Sequence, residues 1–299
     1  MVSPVIVEAG NHITLPSGQR LHYAQAGTPG SPLVIFLHGF PQAWFAWEAQ
    51  MALSGATHFC VAPDMRGFNL SGKPGDLKDY RIDRLVNDIV QLIESLGYAQ
   101  ADLIAHDWGG AVAWSVAIAR PDVLKKLMIL NAPHPVTFAR ALASDAGQQK
   151  ASQYMLALRK PDAENRLLAD NCAALLRHFK SPRDRWLTPA VADRYRAAWT
   201  EPGSLTGALA YYRASPLMPP TPEHPGAAGL SLDPSDFKVT VPTTVLWGLD
   251  DSALLPVLLE GLDELVDQFQ LIELAQASHW LVHEQPDQVA AHIEKFLKD

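Results

Sequence analysis

Two cysteines in 299 residues are too few for a disulfide framework or a thiolate metal centre. Cys60 falls in a strand-like run and Cys172 in a helix-like one, so both read as buried thiols, and no metal is expected. Positive charge is also scarce. With 24 basic against 32 acidic residues, the formal net charge is -8, which leaves no surplus to neutralise phosphates and argues against nucleic acid or an anionic membrane as partner. No apolar run approaches membrane-spanning length, and Met1-Val-Ser-Pro-Val-Ile-Val-Glu8 lacks a charged leader followed by an apolar core. A cytoplasmic monomer or homodimer is therefore expected. No internal repeat is present. What the chain does have is 48% hydrophobic residues, enough for a large core, and a length that suits one α/β domain carrying an insertion. A small neutral ligand fits this composition.

The chain reads as strands alternating with helices. Ile13-Thr-Leu15 and Arg20-Leu-His-Tyr-Ala24, separated by Pro16-Ser-Gly18, predict an antiparallel hairpin at a sheet edge. Leu33–Leu37, His58–Ala62, Ala101–His106, Leu127–Leu130 and Thr243–Trp247 read as buried strands, the first a continuous apolar run of the kind covered on both faces, and Gln270–Leu274 reads as the last strand. A helical stripe through Leu85, Val86, Ile89, Val90, Ile93 and Leu96 predicts a crossover helix from near Asp79 to Gly97, and Pro286 opens a last helix with Val289, Ile293, Phe296 and Leu297 inward. In the loop Pro63–Gly67, Asp64 and Arg66 are expected to pair with each other or to cap backbone groups. The rhythm implies a mostly parallel sheet with right-handed connections. It breaks after Asn131-Ala-Pro-His-Pro135, where about one hundred residues of helical pattern intervene. Helices are expected over Gln149–Leu158, Pro161–Phe179 and Pro189–Trp199, followed by the stiff Pro-rich exit Ser215–Pro225. The expected division is a core of residues 1–134 and 236–299 with a helical cap over 135–235.

The run Asp102-Leu-Ile-Ala-His-Asp-Trp-Gly-Gly110 is the chemical focus. A buried strand stops at Asp107 and a helix rich in small residues begins, with Ala105 and Gly109 flanking the corner. This small-x-nucleophile-x-small pattern fits a nucleophile elbow holding Asp in place of Ser. The amides opening the following helix would stabilise negative charge there. Read alone, an Asp before a Gly pair is more simply a helix cap. Two further features argue for catalysis. At His38-Gly-Phe-Pro41, Gly39 permits a tight turn and Pro41 has no amide hydrogen, so the Phe40 amide is the donor available to an oxyanion. Along the chain, Asp107 is followed by an acid in Gly248-Leu-Asp-Asp-Ser252 and then by His279, which is the order nucleophile, acid, base for this kind of sheet. Every candidate lies where a strand ends, the edge at which open α/β sheets bind ligands.

Four blocks, His38-Gly-Phe-Pro-Gln-Ala-Trp-Phe-Ala-Trp47, Ala62-Pro-Asp-Met-Arg-Gly67, His106-Asp-Trp-Gly-Gly110 and Ser278-His-Trp280, resemble those of the α/β-hydrolase superfamily and, within it, the epoxide hydrolases. The resemblance covers essentially the whole chain. It implies Asp107 as nucleophile, His279 as base and Asp251 as the acid that orients it, preferred to Asp250 because it keeps the family's distance to Pro256. It also implies two cap tyrosines that grip the epoxide oxygen, and Tyr154 and Tyr212 resemble these. Tyr211 is the neighbour that would be turned away from the site. The amides of Phe40 and Trp108 would form the oxyanion hole, and His38, Pro41, Trp44, Met155 and Trp280 would line the pocket. Ala105 and Ser278 depart from the glycines frequent in the family. The implied reaction converts a small apolar epoxide and water into a vicinal diol through an ester on Asp107, without a cofactor.

The nearest rival is a dehalogenase, which shares the Asp, His and acid and differs in its leaving group. Haloalkane dehalogenases also place a Trp after the nucleophile. Haloacetate dehalogenases have arginines at the first and fourth positions after it, where this chain has Trp108 and Ala111. A serine-type esterase is disfavoured, because attack by Asp on an ester would give an anhydride. A non-catalytic receptor on the same scaffold is the remote alternative, and the full set Asp107, Asp251, His279 and the Phe40 turn speaks against it.

Overall fold

The computed structural model describes residues 4–298. In chain order its main elements are β1 (Val7–Thr14), β2 (Arg20–Ala26), β3 (Leu33–Leu37), α1 (Glu48–Ser54), β4 (Phe59–Pro63), α2 (Ile82–Ser95), β5 (Ala101–His106), α3 (Trp108–Ala119) and β6 (Leu124–Leu130). There follow α4 (Pro135–Ser144), α5 (Ala146–Ala151), α6 (Gln153–Leu158), α7 (Ala163–His178), α8 (Pro189–Thr200) and α9 (Ser204–Ala214), and then β7 (Thr243–Gly248), β8 (Phe269–Leu274), α10 (Leu281–Glu284) and α11 (Pro286–Lys298).

The eight strands form one sheet in the order β1-β2-β4-β3-β5-β6-β7-β8. The β1–β2 and β2–β4 pairs are antiparallel, and every pair from β4 through β3 and β5 to β8 is parallel. The apolar runs of the inner strands are continuous because alternate residues serve opposite layers. Ile35, Leu37, Leu103, Ala105, Leu127 and Ile129 pack with α2 and α3 on one face. Val34, Phe36, Ile104, Met128 and Leu130 meet Trp47, Met51 and the inner side of α11 on the other. β5 lies near the middle, with all six residues buried. The elbow is thereby fixed from both layers.

Differences from the sequence-based expectation have local causes. Asp64 and Arg66 do not pair with each other. Asp64 accepts from the Trp44 amide at 3.0 Å and sits 2.6 Å from His22 Nδ1, while Arg66 makes a two-pronged pair with Asp88 of α2 at 2.7 and 2.6 Å. All four of these side chains are buried, so each charge needs a partner brought from elsewhere in the fold. The expected start of the crossover helix is a separate 3-10 turn, Leu77–Tyr80, and α2 begins at Ile82. The helix expected over Gln149–Leu158 is divided at Ser152 into α5 and α6. Two helices lacked a distinct periodic signal, α4 and α9. Most of α9 is buried, so it has no polar stripe to reveal its period.

The helices between β6 and β7 are tied to the sheet at specific points. The Tyr211 hydroxyl donates to the Arg66 carbonyl at 2.9 Å, the Trp199 indole to the Pro41 carbonyl at 2.5 Å, and the Asn69 amide to Ser204 Oγ at 2.8 Å. At the closest approach a Cβ on Gly207 would lie 2.4 Å from the Gly67 carbonyl oxygen. Only backbone fits there. These ties set the height of α9, and so of Tyr212, above the strand ends. Cys60 and Cys172 are both buried free thiols. Among the described residues, no helix is long and apolar enough to cross a membrane.

Candidate active site

Asp107 occupies the corner between β5 and α3 with φ 52 and ψ -123, a backbone conformation that costs a non-glycine residue energy and is found where surrounding structure enforces it. Two glycines make room for it. A Cβ on Gly39 would lie 2.1 Å from Asp107 Oδ1, and one on Gly109 would lie 2.5 Å from the Leu37 carbonyl oxygen. The Phe40 amide donates to Asp107 Oδ1 at 2.6 Å. The Trp108 amide at the start of α3 also favours the ionised carboxylate. Burial opposes that charge, but His279 and the Trp108 amide outweigh it and hold Asp107 below the usual carboxylate range.

His279 follows β8 and faces two carboxylates. Its Nδ1 is 2.7 Å from Asp251 Oδ2 and its Nε2 is 3.5 Å from Asp107 Oδ2. Asp251 is held in turn: its Oδ1 accepts from the amides of Ala253 and Leu254 at 2.8 and 2.9 Å, and its Oδ2 from Asn131 Nδ2 at 2.7 Å. Burial disfavours an imidazolium, yet Asp251 and Asp107 together push the His279 pKa up to about 10. The sign of the linkage follows. Because the folded value exceeds the ordinary one near 6.5, the stability His279 contributes is lost as pH rises through about 10, whereas that of Asp107 and Asp251, whose pKa values are lowered, is lost in acid as they are protonated. Replacing Asp107 with Ala removes one of the two anions, so His279 is expected to titrate at lower pH than in the parent protein. Imidazole NMR resonances followed against pH check this, and an unchanged titration would contradict the coupling.

Behind the pair, His106 places Nε2 2.8 Å from the His279 carbonyl oxygen and Nδ1 3.0 Å from Gln42. Burial and then the adjacent His279 push its pKa down to about 3, so it is neutral and acts as a hydrogen-bonding brace.

Tyr154 of α6 and Tyr212 of α9 stand over the carboxylate with ring centroids 6.2 Å apart. The Tyr212 ring makes edge contacts with Trp108 at 5.2 Å and Phe40 at 5.3 Å. Burial, first of all, and the nearby Asp107 charge keep both phenols well above their ordinary pKa, so both carry their protons at neutral pH. Tyr211 points its hydroxyl to the Arg66 carbonyl instead.

Asp107, Tyr154 and Tyr212 line two adjoining cavities, one of about 1030 Å³ and one of about 470 Å³. Met155 and Trp108 face the larger; Phe40, Pro41, His279 and Trp280 face the smaller. His38 and Trp44, expected along the pocket, lie outside both linings. His38 is fully buried below the turn, with Nδ1 3.0 Å from the Gly39 carbonyl and Nε2 accepting from the Met65 amide at 3.1 Å. Trp44 begins a 3-10 turn beneath the sheet edge, where Arg194 stacks on its ring. His38 thereby holds the Phe40 turn from behind, while Trp44 is tied by its amide to Asp64. Asn131, which joins Asp251 to the Gly248 amide, was not singled out from the sequence. Its signal was there: an Asn just past a buried strand, here with φ 38, at the ligand-binding edge. Among the described residues, no three His, Cys, Asp or Glu side chains are grouped to hold a metal ion.

A family model described as alpha/beta hydrolase fold matches residues 32–286. An AB hydrolase superfamily protein from Bacillus subtilis, YfhM, is 37% identical over 95% of this chain and 96% of its own length. Mouse epoxide hydrolase 4 is 33% identical over 95% of this chain and 77% of its own. Among solved structures, an epoxide hydrolase from Bacillus megaterium in complex with an inhibitor superposes with a TM-score of 0.88 at 35% identity, covering 97% of this chain and all of that one. By fold, strand order and this match along nearly its whole length, the chain is a hydrolase of the alpha/beta hydrolase fold and belongs to the epoxide hydrolase family.

Proposed function

We propose that the protein hydrolyses apolar epoxides to vicinal diols through an alkyl ester on Asp107. The observation that carries this reading is an ionised carboxylate with one oxygen held by an amide, the other facing an imidazole, and two protonated tyrosines above it. Asp107 Oδ2 attacks an epoxide carbon from behind, the carbon–oxygen bond on the far side breaks, and the ring oxygen takes a proton from Tyr154 or Tyr212. The carboxylate charge is consumed as the ester forms. Asp107 then no longer raises the tyrosine pKa values or favours the His279 imidazolium. A proton passes from His279 to the tyrosinate and leaves a neutral imidazole. That imidazole, oriented by Asp251, takes a proton from water as its oxygen adds to the ester carbonyl carbon. The Phe40 and Trp108 amides stabilise the resulting oxyanion. Collapse expels the diol and restores both the carboxylate and the imidazolium.

The test incubates the protein separately with an aryl epoxide, haloalkanes and a haloacetate. Diol by chromatography without halide release supports the proposal, and halide release without diol makes the protein a dehalogenase. Tyr154→Phe and Tyr212→Phe are each expected to slow ester formation about 100-fold while slowing ester hydrolysis much less. Single-turnover kinetics separate the steps, and equal slowing of both would contradict the assigned role.

A further inference from the structure

The two cavities that meet at Asp107, Tyr154 and Tyr212 differ in chemistry. The larger is walled by side chains such as Val86, Ile118, Phe138, Met155 and Leu217. The smaller, on the His279 side, carries His178, Lys180, Ser181 and Arg183. Most of that polarity is already engaged. Lys180 pairs with Asp184 at 2.9 Å, Ser181 bonds Glu284, and Arg183 pairs through Nη2 with Asp250 at 2.6 Å while its Nη1 is buried without a partner among the described residues. The His178 ring is not engaged: no side-chain hydrogen bond among the described residues uses its nitrogens, although the ring borders the cavity beside Tyr154.

The ring is also well placed and well held. Its centroid is 6.5 Å from that of Tyr154 and 6.4 Å from that of Phe40, so it stands beside a tyrosine proposed to hold the epoxide oxygen. It closes α7, and its own carbonyl accepts the Trp280 indole proton at 2.9 Å. The next residue, Phe179, is fully buried against Trp280 and Tyr195, with centroids 4.6 and 4.7 Å away. Burial and then Arg177 lower its pKa, which favours a neutral imidazole with one donor and one acceptor.

We infer that His178 is a specificity-determining residue that hydrogen-bonds a hydroxyl or ether oxygen on the epoxide substituent directed into the smaller cavity. The favoured substrate then has a large apolar group on one epoxide carbon and a short oxygen-bearing arm on the other. This inference rests on the proposed epoxide hydrolysis and adds which epoxides the site selects.

The test uses two trans epoxides of equal size: a phenyl glycidol, and its counterpart in which a methyl group replaces the hydroxyl. The parent protein should prefer the glycidol roughly 10-fold in kcat/KM, since a site built to bond a hydroxyl discriminates against the analogue lacking it. His178→Phe should bring the ratio close to parity, and His178→Gln, which keeps a donor and an acceptor, should retain most of it. The ratio compares two substrates in one preparation, so a loss of folded protein cancels, and His178→Leu repeats the test with a smaller side chain. A preference unchanged in His178→Phe and His178→Leu, or absent from the parent protein, overturns the inference while leaving epoxide hydrolysis intact. Failure of the parent protein to form diol from either compound overturns both.

Discussion

Asp107→Asn, assayed on freshly prepared protein, should lose at least about 10⁴-fold of diol-forming activity. The amide is nearly isosteric and can still accept from the Phe40 amide, so the elbow geometry survives. What disappears is the nucleophile. In the proposed mechanism Asp107 acts as a carboxylate kept ionised in a buried site by His279 and by helix and turn amides, and a neutral amide oxygen does not attack an epoxide carbon at a comparable rate. Freshness matters because the His279–Asp251 pair proposed to activate water lies beside the new amide and can hydrolyse it back to Asp. Activity that grows on storage, with the mass of the Asp107 peptide returning to that of the parent, would fit this chemistry. Full activity at the outset would remove Asp107 from the mechanism.

His279→Gln should separate the two halves of the reaction. In the proposed mechanism ester formation needs the Asp107 carboxylate and a tyrosine proton, whereas ester hydrolysis needs a base for water. Loss of that base is expected to slow hydrolysis by roughly 10³-fold. The variant should therefore accumulate one substrate molecule per chain, bound covalently to the peptide containing Asp107 and visible by intact-protein mass spectrometry. Asp251→Asn should show a milder form of the same defect, because the imidazole stays in place but loses the anion at Nδ1. A His279→Gln variant that forms no adduct while losing all turnover would contradict the division of labour.

Much of this constellation was legible in the sequence because its constraints are local. The strand, the corner and the helix around Asp107 are contiguous, and Gly39 and Gly109 report on close backbone approach that no Cβ would allow. Continuous apolar runs mark β3 to β7 because those strands are covered on both faces. The choice of Asp251 over Asp250 and of Tyr212 over Tyr211 was different, since it depended on family resemblance. In the structure Asp251 is buried against His279, while Asp250 pairs with Arg183. Partnerships that cross the fold were not legible. Arg66 and Asp88 meet because α2 packs over the end of β4, and nothing in their spacing announces it. His38 and Trp44 are sequence neighbours of the Phe40 turn, yet neither lines the cavity. Asn131 and His178 meet partners more than 100 residues away, Asp251 and Trp280 respectively, and only the assembled fold brings those partners together.

The covalent ester is the central claim, and the source of the diol oxygen tests it most directly. With enzyme in excess over an aryl epoxide in oxygen-18 water, a single turnover should place the heavy oxygen in the Asp107 carboxylate and leave the released diol unlabelled, because the diol takes its new oxygen from Asp107 and water replaces it. Label appearing in the first-turnover diol, with none in the Asp107 peptide, would mean that water attacks the epoxide directly and that no ester forms.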